Sequence, residues 1–343
     1  PYTPDGNPLI GPMPGVRNAY EACVFTFGIA QGGGAGKVLA EWVTEGTTEW
    51  DMWSCDPRRF TDFTDDQYCI DKGKEIYGHE YGMHFTHMRW PAAPDRRLSP
   101  IHSKILELGG QMGCYNGWER ANWFSEKGQI QEYKYSWGRQ NWFENSHNEH
   151  MAVRNCLGMY DMSSLGKLMV EGRDAESFLN HICGGDMSVP LGKIVYTQFL
   201  NSRGGVEADV TVTRLSEVSY LVVTPAITRL ADQTWMRRNI GNFEVVITDV
   251  TAAEGVLAIM GPNSRQFMES ISHYDYSNET NPFGTAQEIE IGMGLARVHR
   301  VSYVGELGWE IYVSTDMAAH VFETIMEYAK DSQLKLCGMH MMD

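Results

Sequence analysis

The sequence predicts an α+β fold, on three observations. Short runs rich in β-branched and aromatic residues recur from Gly166 onward, bounded by Gly, Asn and Asp turns. Helical patterns fall between these runs without the regular strand–helix–strand rhythm of a doubly wound sheet. At 43% apolar and 21% charged residues, the 343-residue chain has a core-forming composition, and at roughly 150 residues per domain it holds about two domains.

The same arithmetic excludes several classes of function. Lys and Arg number 28 against 44 Asp and Glu, a net charge of −16 that repels phosphate backbones and argues against a nucleic-acid partner. No stretch approaches the ~18 consecutive apolar residues of a membrane-spanning helix, so no membrane role is expected. The opening PYTPDGNPLIGP is neither a basic nor an apolar leader. The seven cysteines form no C-x-x-C pair. They read as reduced thiols in a cytoplasm-like compartment: bacterial cytoplasm, or mitochondrial matrix in a eukaryote.

Taken in order, Gly11, Pro12, Pro14 and Gly15 mark a turn region, followed by a strand over 19–27. A glycine run, Gly28 to Gly36, then leads to a helix over 37–44 that Gly46 is placed to end. Residues 51–115 carry Pro57, Pro91, Pro94 and Pro100 and read as a connecting region with short helices. Trp118, Trp123, Trp137 and Trp142 cluster in an aromatic segment that packs or meets a partner. Strands are expected at 167–170, 195–200, 210–215, 219–224, 243–247, 256–260, 296–303 and 308–313. Helices are expected at 175–183, 229–239, 264–271 and 317–329, with Asp174, Asn263 and Asp316 as N-caps.

Four motifs could carry chemistry. The run Gly28-Ile-Ala-Gln-Gly-Gly-Gly-Ala-Gly36 lacks the spacing of a first-strand dinucleotide fingerprint. It serves either tight helix–strand packing or backbone N–H contacts to a partly negative atom. In GHEYGMHFTHMRW, His84 and His87 would share one helix face, but no H-E-x-x-H order or cysteine joins them, so no metal is expected. Asp209 ends a turn containing Gly204 and Gly205 and begins a strand. It either caps the turn or accepts hydrogen bonds from a ligand amine. In SYVGELGWEIY, Glu310 lies on the face opposite Ile311, as a solvated hairpin residue or as a buried acceptor for a ligand with adjacent N–H donors.

Together, YTQFLN from Tyr196, GGVEAD ending at Asp209, and SYVGELGWEIY resemble the glycine cleavage T-protein (aminomethyltransferase) family, which binds folate. PDGNPLIGPMPGVRN and GIAQGGGAGKVLAEW resemble the C-terminal end of an amino-acid-oxidase-type FAD domain, and SPIHSKILELGGQMG and GWERANWF fit the linker between the two. This order is that of the dimethylglycine and sarcosine dehydrogenases.

The resemblance implies three parts: 1–55 as the end of an α/β FAD oxidoreductase domain, 56–114 as a small linker domain, and 115–343 as the T-protein-like folate domain. It also implies an internal fragment, without the G-x-G-x-x-G start of the flavin domain and stopping before the small C-terminal β-barrel, so that this piece alone would not bind FAD tightly. The implied reaction oxidises an N-methyl group of a dimethylglycine- or sarcosine-type substrate with FAD and passes the carbon to tetrahydrofolate, giving 5,10-methylenetetrahydrofolate. Asp209 would assist proton movement. Tyr196, Tyr303, Glu310 and Tyr312 would bind the folate, and Gly28, Ile29, Ala30 and Gln31 would approach the flavin. A non-catalytic regulator resembling the pyruvate dehydrogenase phosphatase regulatory subunit and a stand-alone folate-dependent demethylase are the alternatives.

Overall fold

A computed structural model describes residues 2–61, 63–129 and 131–342, and the chain divides into one unit ending at Arg97 and a second beginning at Leu98. In the first unit, strands β1 (Leu9–Pro12) and β2 (Tyr20–Cys23) form an antiparallel pair with Leu9 opposite Cys23. Helix α1 (Gly28–Glu45) covers the pair with Ala35 and Val38, joined by Leu39 and Trp42. Gly46 ends α1 in the left-handed conformation at φ 67°, as its position predicts. The glycines, however, lie inside α1 and not in a turn before it, so the expected start at 37 moves back to Gly28. A Cβ at Gly32, Gly33, Gly34 or Gly36 would meet nothing within 4 Å, so packing within this unit does not require these glycines. Helix α2 (Asp66–His79) starts at an Asp65 cap that accepts from Tyr68 N at 2.8 Å. It ends before His84 and His87, which therefore share no helix face.

The second unit opens with helix α3 (His102–Glu107), the hairpin β3 (Gly110–Tyr115) and β4 (Trp118–Phe124), and helix α4 (Phe143–Asn155). Met112, Ala121 and Phe124 of the hairpin share a core with Leu157 and Leu257, which is why the unit boundary falls before the hairpin and not at residue 115. Trp123 and Trp142 are buried and stacked at 6.5 Å, whereas Trp137 is exposed.

There follow β5 (Leu157–Asp161), β6 (Gly166–Glu171), α5 (Ala175–Ile182), β7 (Ile194–Leu200), β8 (Val206–Arg214), β9 (Ser219–Thr224), α6 (Arg229–Arg238) and β10 (Val246–Asp249). The chain continues through β11 (Glu254–Met260), α7 (Ser264–Ile271), β12 (Ala286–Ile291), β13 (Gly294–His299), β14 (Gly308–Ser314), α8 (Thr315–Ala329) and β15 (Leu334–Leu336). Asp174 and Asn263 occupy N-cap positions but make no cap hydrogen bond; the α8 cap position is Ser314, which places Asp316 in the first turn.

These strands build two sheets. One has five strands in the order β10-β6-β9-β8-β7, and the other has six in the order β12-β13-β14-β11-β5-β15. Every pairing is antiparallel except β15 with β5. Alternation sorts their side chains into three layers. Leu168, Val170, Val210, Val212, Tyr220 and Val222 pack under α5 and α6. Leu257, Ile259, Trp309, Ile311 and Val313 pack under α7 and α8. The opposite faces meet each other: Leu221 and Val223 of the five-stranded sheet share a core with Tyr160, Val256, Ala258, Met260 and Tyr312 of the six-stranded one. The second unit is thus a helix–sheet–sheet–helix stack with a middle layer between two sheets.

Candidate active site

Asp209 of one sheet and Glu310 of the other lie on the faces that turn toward each other, Asp209 exposed and Glu310 buried. On β8, Asp209 and Thr211 alternate with buried Val210 and Val212. Thr211 stands opposite Val223, so Asp209 lies on the face that turns toward the six-stranded sheet. Across the β7–β8 hairpin, Asp209 stands opposite Gln198 and Thr211 opposite Tyr196, which puts all four residues on that face. Tyr196 donates its hydroxyl to Asp209 Oδ2 at 2.8 Å, and Gln198 Nε2 donates to Oδ1 at 2.9 Å. The hydrogen bond to Asp209 holds the Tyr196 phenol above its usual pKa. Asp209 and Tyr196 are both exposed, and no cation pairs with Asp209 among the described residues. Two neutral donors therefore orient the carboxylate while leaving its charge unpaired. The turn is capped by Asn201, whose Oδ1 accepts from Arg203 N at 2.9 Å and Gly205 N at 2.8 Å, and not by Asp209.

On β14, Trp309, Ile311 and Val313 take the helix-covered face and Glu310 and Tyr312 take the middle layer, as alternation predicts. Glu310 is buried, not solvated. Tyr312 donates its hydroxyl to Glu310 Oε2 at 2.7 Å. Burial raises the Glu310 pKa, opposed by the Tyr312 hydrogen bond and by the charge of Lys167. Burial also pushes the Tyr312 phenol up, reinforced by Glu310. Lys167 comes from β6 of the opposite sheet, with Nζ donating to Ser163 O at 2.9 Å and Leu165 O at 3.1 Å.

On the neighbouring strand, His299 stands opposite Glu310 and Arg297 opposite Tyr312. The His299 ring lies 4.3 Å from that of Tyr312 at 32°. Arg297 Nε donates to His299 Nε2 at 3.1 Å, and its NH2 group donates to both carboxylate oxygens of Glu254 at 2.9 and 3.0 Å. Burial, aided by Arg297, pushes the His299 pKa well below its usual value and keeps the imidazole neutral.

The structure thus forms two pairs, Tyr196 with Asp209 and Glu310 with Tyr312, on facing sheets and without a direct hydrogen bond between the pairs. Tyr303 is not joined to either. It sits exposed in the 300–307 loop with no hydrogen bond among the described residues. Gln198, Lys167, Arg297 and His299 escaped the sequence reading. Period-two spacing links Gln198 to Tyr196 and Arg297 to His299, but only strand register brings them to Asp209 and Glu310.

In the first unit, Gly28, Ile29, Ala30 and Gln31 form the opening turn of α1. Phe27 makes no side-chain cap and Gln31 N donates to Phe27 O, so Gly28, Ile29 and Ala30 present the N–H groups that an α-helix leaves unbonded at its start. Gln31 Oε1 is buried without a hydrogen-bond partner among the described residues. These groups offer donors and one acceptor to a polar ligand edge. Among the described residues, no group of His, Cys, Asp and Glu could hold a metal ion, and no helix is long and apolar enough to cross a membrane.

Comparison with known proteins places these features in context. Residues 101–343 match the GCVT N-terminal domain, and residues 45–99 match the FAD dependent oxidoreductase central domain. The chain is 38% identical, over its whole length and 42% of the relative's, to a 4-methylaminobutanoate oxidase (formaldehyde-forming) of Paenarthrobacter nicotinovorans. It is 32% identical to the mitochondrial dimethylglycine dehydrogenase of Rattus norvegicus over 99% of this chain and 40% of the other. The chain therefore spans about two fifths of the length of these curated relatives. The glycine cleavage system aminomethyltransferase T of Bartonella henselae superposes with a TM-score of 0.59 at 22% identity, covering 72% of this chain and 61% of that one, which establishes the fold.

Proposed function

We propose, from the premise that this chain belongs to the GCVT N-terminal domain family, that it is the folate-bearing part of a flavin-dependent N-methyl amino acid dehydrogenase. The observation that supports this reading is that Asp209 and Glu310, some hundred residues apart in sequence, lie on the faces of the two sheets that turn toward each other. The N–H groups of Gly28, Ile29 and Ala30, with Gln31, would hold FAD, which would supply the two-electron acceptor for oxidising the N-methyl amine to an iminium ion.

The remaining steps belong to the second unit. Glu310 would hold the pterin N–H edge of tetrahydrofolate, and Tyr196, Tyr303 and Tyr312 would line its ring system. A folate nitrogen attacks the iminium carbon, the amine leaves, and closure onto the second folate nitrogen gives 5,10-methylenetetrahydrofolate, the demethylated amine and one proton. Asp209 is held toward the layer by Tyr196 and Gln198 without a counter-cation, and accepts the proton released as the second nitrogen closes. Desolvation around Glu310 strengthens its hydrogen bonds to the ligand.

The test is Asp209→Asn in the full-length protein. Asn keeps the shape and cannot take the proton. Methylenetetrahydrofolate formation is expected to fall about 10²-fold or more, while flavin reduction by the amine stays near wild type and the untrapped iminium hydrolyses to formaldehyde. Equal loss of both activities, or unchanged methylenetetrahydrofolate formation, would overturn the role of Asp209.

A further inference from the structure

The cross-strand pair His299–Glu310 offers two complementary polar atoms. Arg297 Nε donates to His299 Nε2 at 3.1 Å. A guanidinium N–H only donates, so Nε2 carries a lone pair and the proton of the neutral imidazole sits on Nδ1. That Nδ1–H has no hydrogen-bond partner among the described residues. Glu310 Oε1 has none either, because the Tyr312 hydroxyl goes to Oε2. Both side chains are nearly closed off from solvent, His299 at 1% and Glu310 at 7% exposure. Neither atom is among the unpartnered side-chain atoms that are sealed from solvent, so a ligand can reach both and complete them.

The two groups are also held fixed. His299 and Glu310 are directly opposite in the β13–β14 ladder, which sets their Cβ atoms about 4.5–5.5 Å apart. The His299 ring lies against Tyr312 and is tethered at Nε2 by Arg297, which Glu254 grips with both oxygens. Tyr312 fixes Glu310 from the other side. The rotamers of both groups are therefore set before a ligand arrives.

We propose that His299 is a specificity-determining residue that reads a lactam edge, donating from Nδ1–H to the ligand carbonyl while Glu310 Oε1 accepts from the adjacent ring N–H. Resting on the folate reading, the edge is the 4-oxo and N3–H side of the pterin. An analogue with a 4-amino group inverts this pattern: it presents a donor to the His299 donor and a bare ring nitrogen to the Glu310 acceptor. Arg297 and Glu254 are positioning residues that fix which nitrogen of His299 carries the proton.

The test titrates this chain with tetrahydrofolate and with its 4-amino counterpart, tetrahydroaminopterin, by calorimetry under anaerobic conditions. The wild-type chain should bind the 4-oxo ligand at least tenfold more tightly. His299→Leu should weaken the 4-oxo ligand about tenfold, equivalent to about 1.4 kcal/mol, and change the 4-amino ligand less than twofold. His299→Asn, whose amide nitrogen can stand in for Nδ1, should restore most of the discrimination. Equal wild-type affinity for the two ligands overturns the role of His299 without recourse to any variant. So does a His299→Leu chain, folded by its melting transition, that weakens both ligands alike or neither. Binding of neither ligand to the wild-type chain would instead overturn the folate reading and this assignment with it.

Discussion

Glu310 is a buried carboxylate held, among the described residues, by one hydrogen bond, from Tyr312. That bond lowers the Glu310 pKa against the raising effect of burial, so its loss acts on both stability and charge. Tyr312→Phe leaves Oε2 without its donor, and an unsatisfied buried acceptor costs about 1–3 kcal/mol. Urea denaturation at pH 7 should show a loss of that size, and an unchanged midpoint would contradict the tight coupling of the pair. The alternation of GWEIY made the shared face of Glu310 and Tyr312 legible in the sequence. His299 was not legible, because its meaning depends on standing opposite Glu310, a register that the glycine-containing 300–307 loop sets. Tyr303 belongs to the same motif but lies in that loop, exposed.

At the scale of elements, Glu149 ties three segments together. From α4 it accepts Phe124 N of β4 and Gly338 N of the C-terminal segment, each at 2.8 Å. Burial nonetheless outweighs these two bonds and raises its pKa to about 7. A raised carboxyl pKa means that the folded state holds a proton the unfolded state has released. The stability this group contributes is complete below its ordinary value of 4.5 and is lost as pH rises to about 7. Asp232, raised to about 6 by burial, acts with the same sign. Glu149→Gln cannot lose a proton, so the stability gap between wild type and variant should narrow from pH 5 to pH 7.5 in urea titrations; a gap that widens would contradict the assigned titration. Elements with strong alternation or amphipathic spacing were readable: 219–224 and 264–271 match β9 and α7 end to end. The β3–β4 hairpin was missed because its glycines and tryptophans carry no clean alternation. The start of α1 was missed because four glycines, each about 1 kcal/mol worse than alanine in a helix interior, argue for a turn. We find no packing reason for them within the unit, whose apolar anchors come later in α1 at Val38, Leu39 and Trp42.

At the scale of the molecule, the second unit places two sheets face to face between helical layers, and the candidate site is a property of that stacking. The hairpin that carries Asp209 and the strand pair that carries Glu310 belong to different sheets, so the proposed site needs both. The fold class followed from local patterns, whereas the facing of the two sheets did not, because it depends on which strands share a sheet. If tetrahydrofolate binds between the two sheets, hydrogen–deuterium exchange of this chain with and without saturating tetrahydrofolate will show it. Exchange should slow in peptides from both sheets together: β7 and β8 on one side, and β13, β14 and the 300–307 loop on the other. Protection confined to one sheet, to the first unit, or absent at saturation would contradict it.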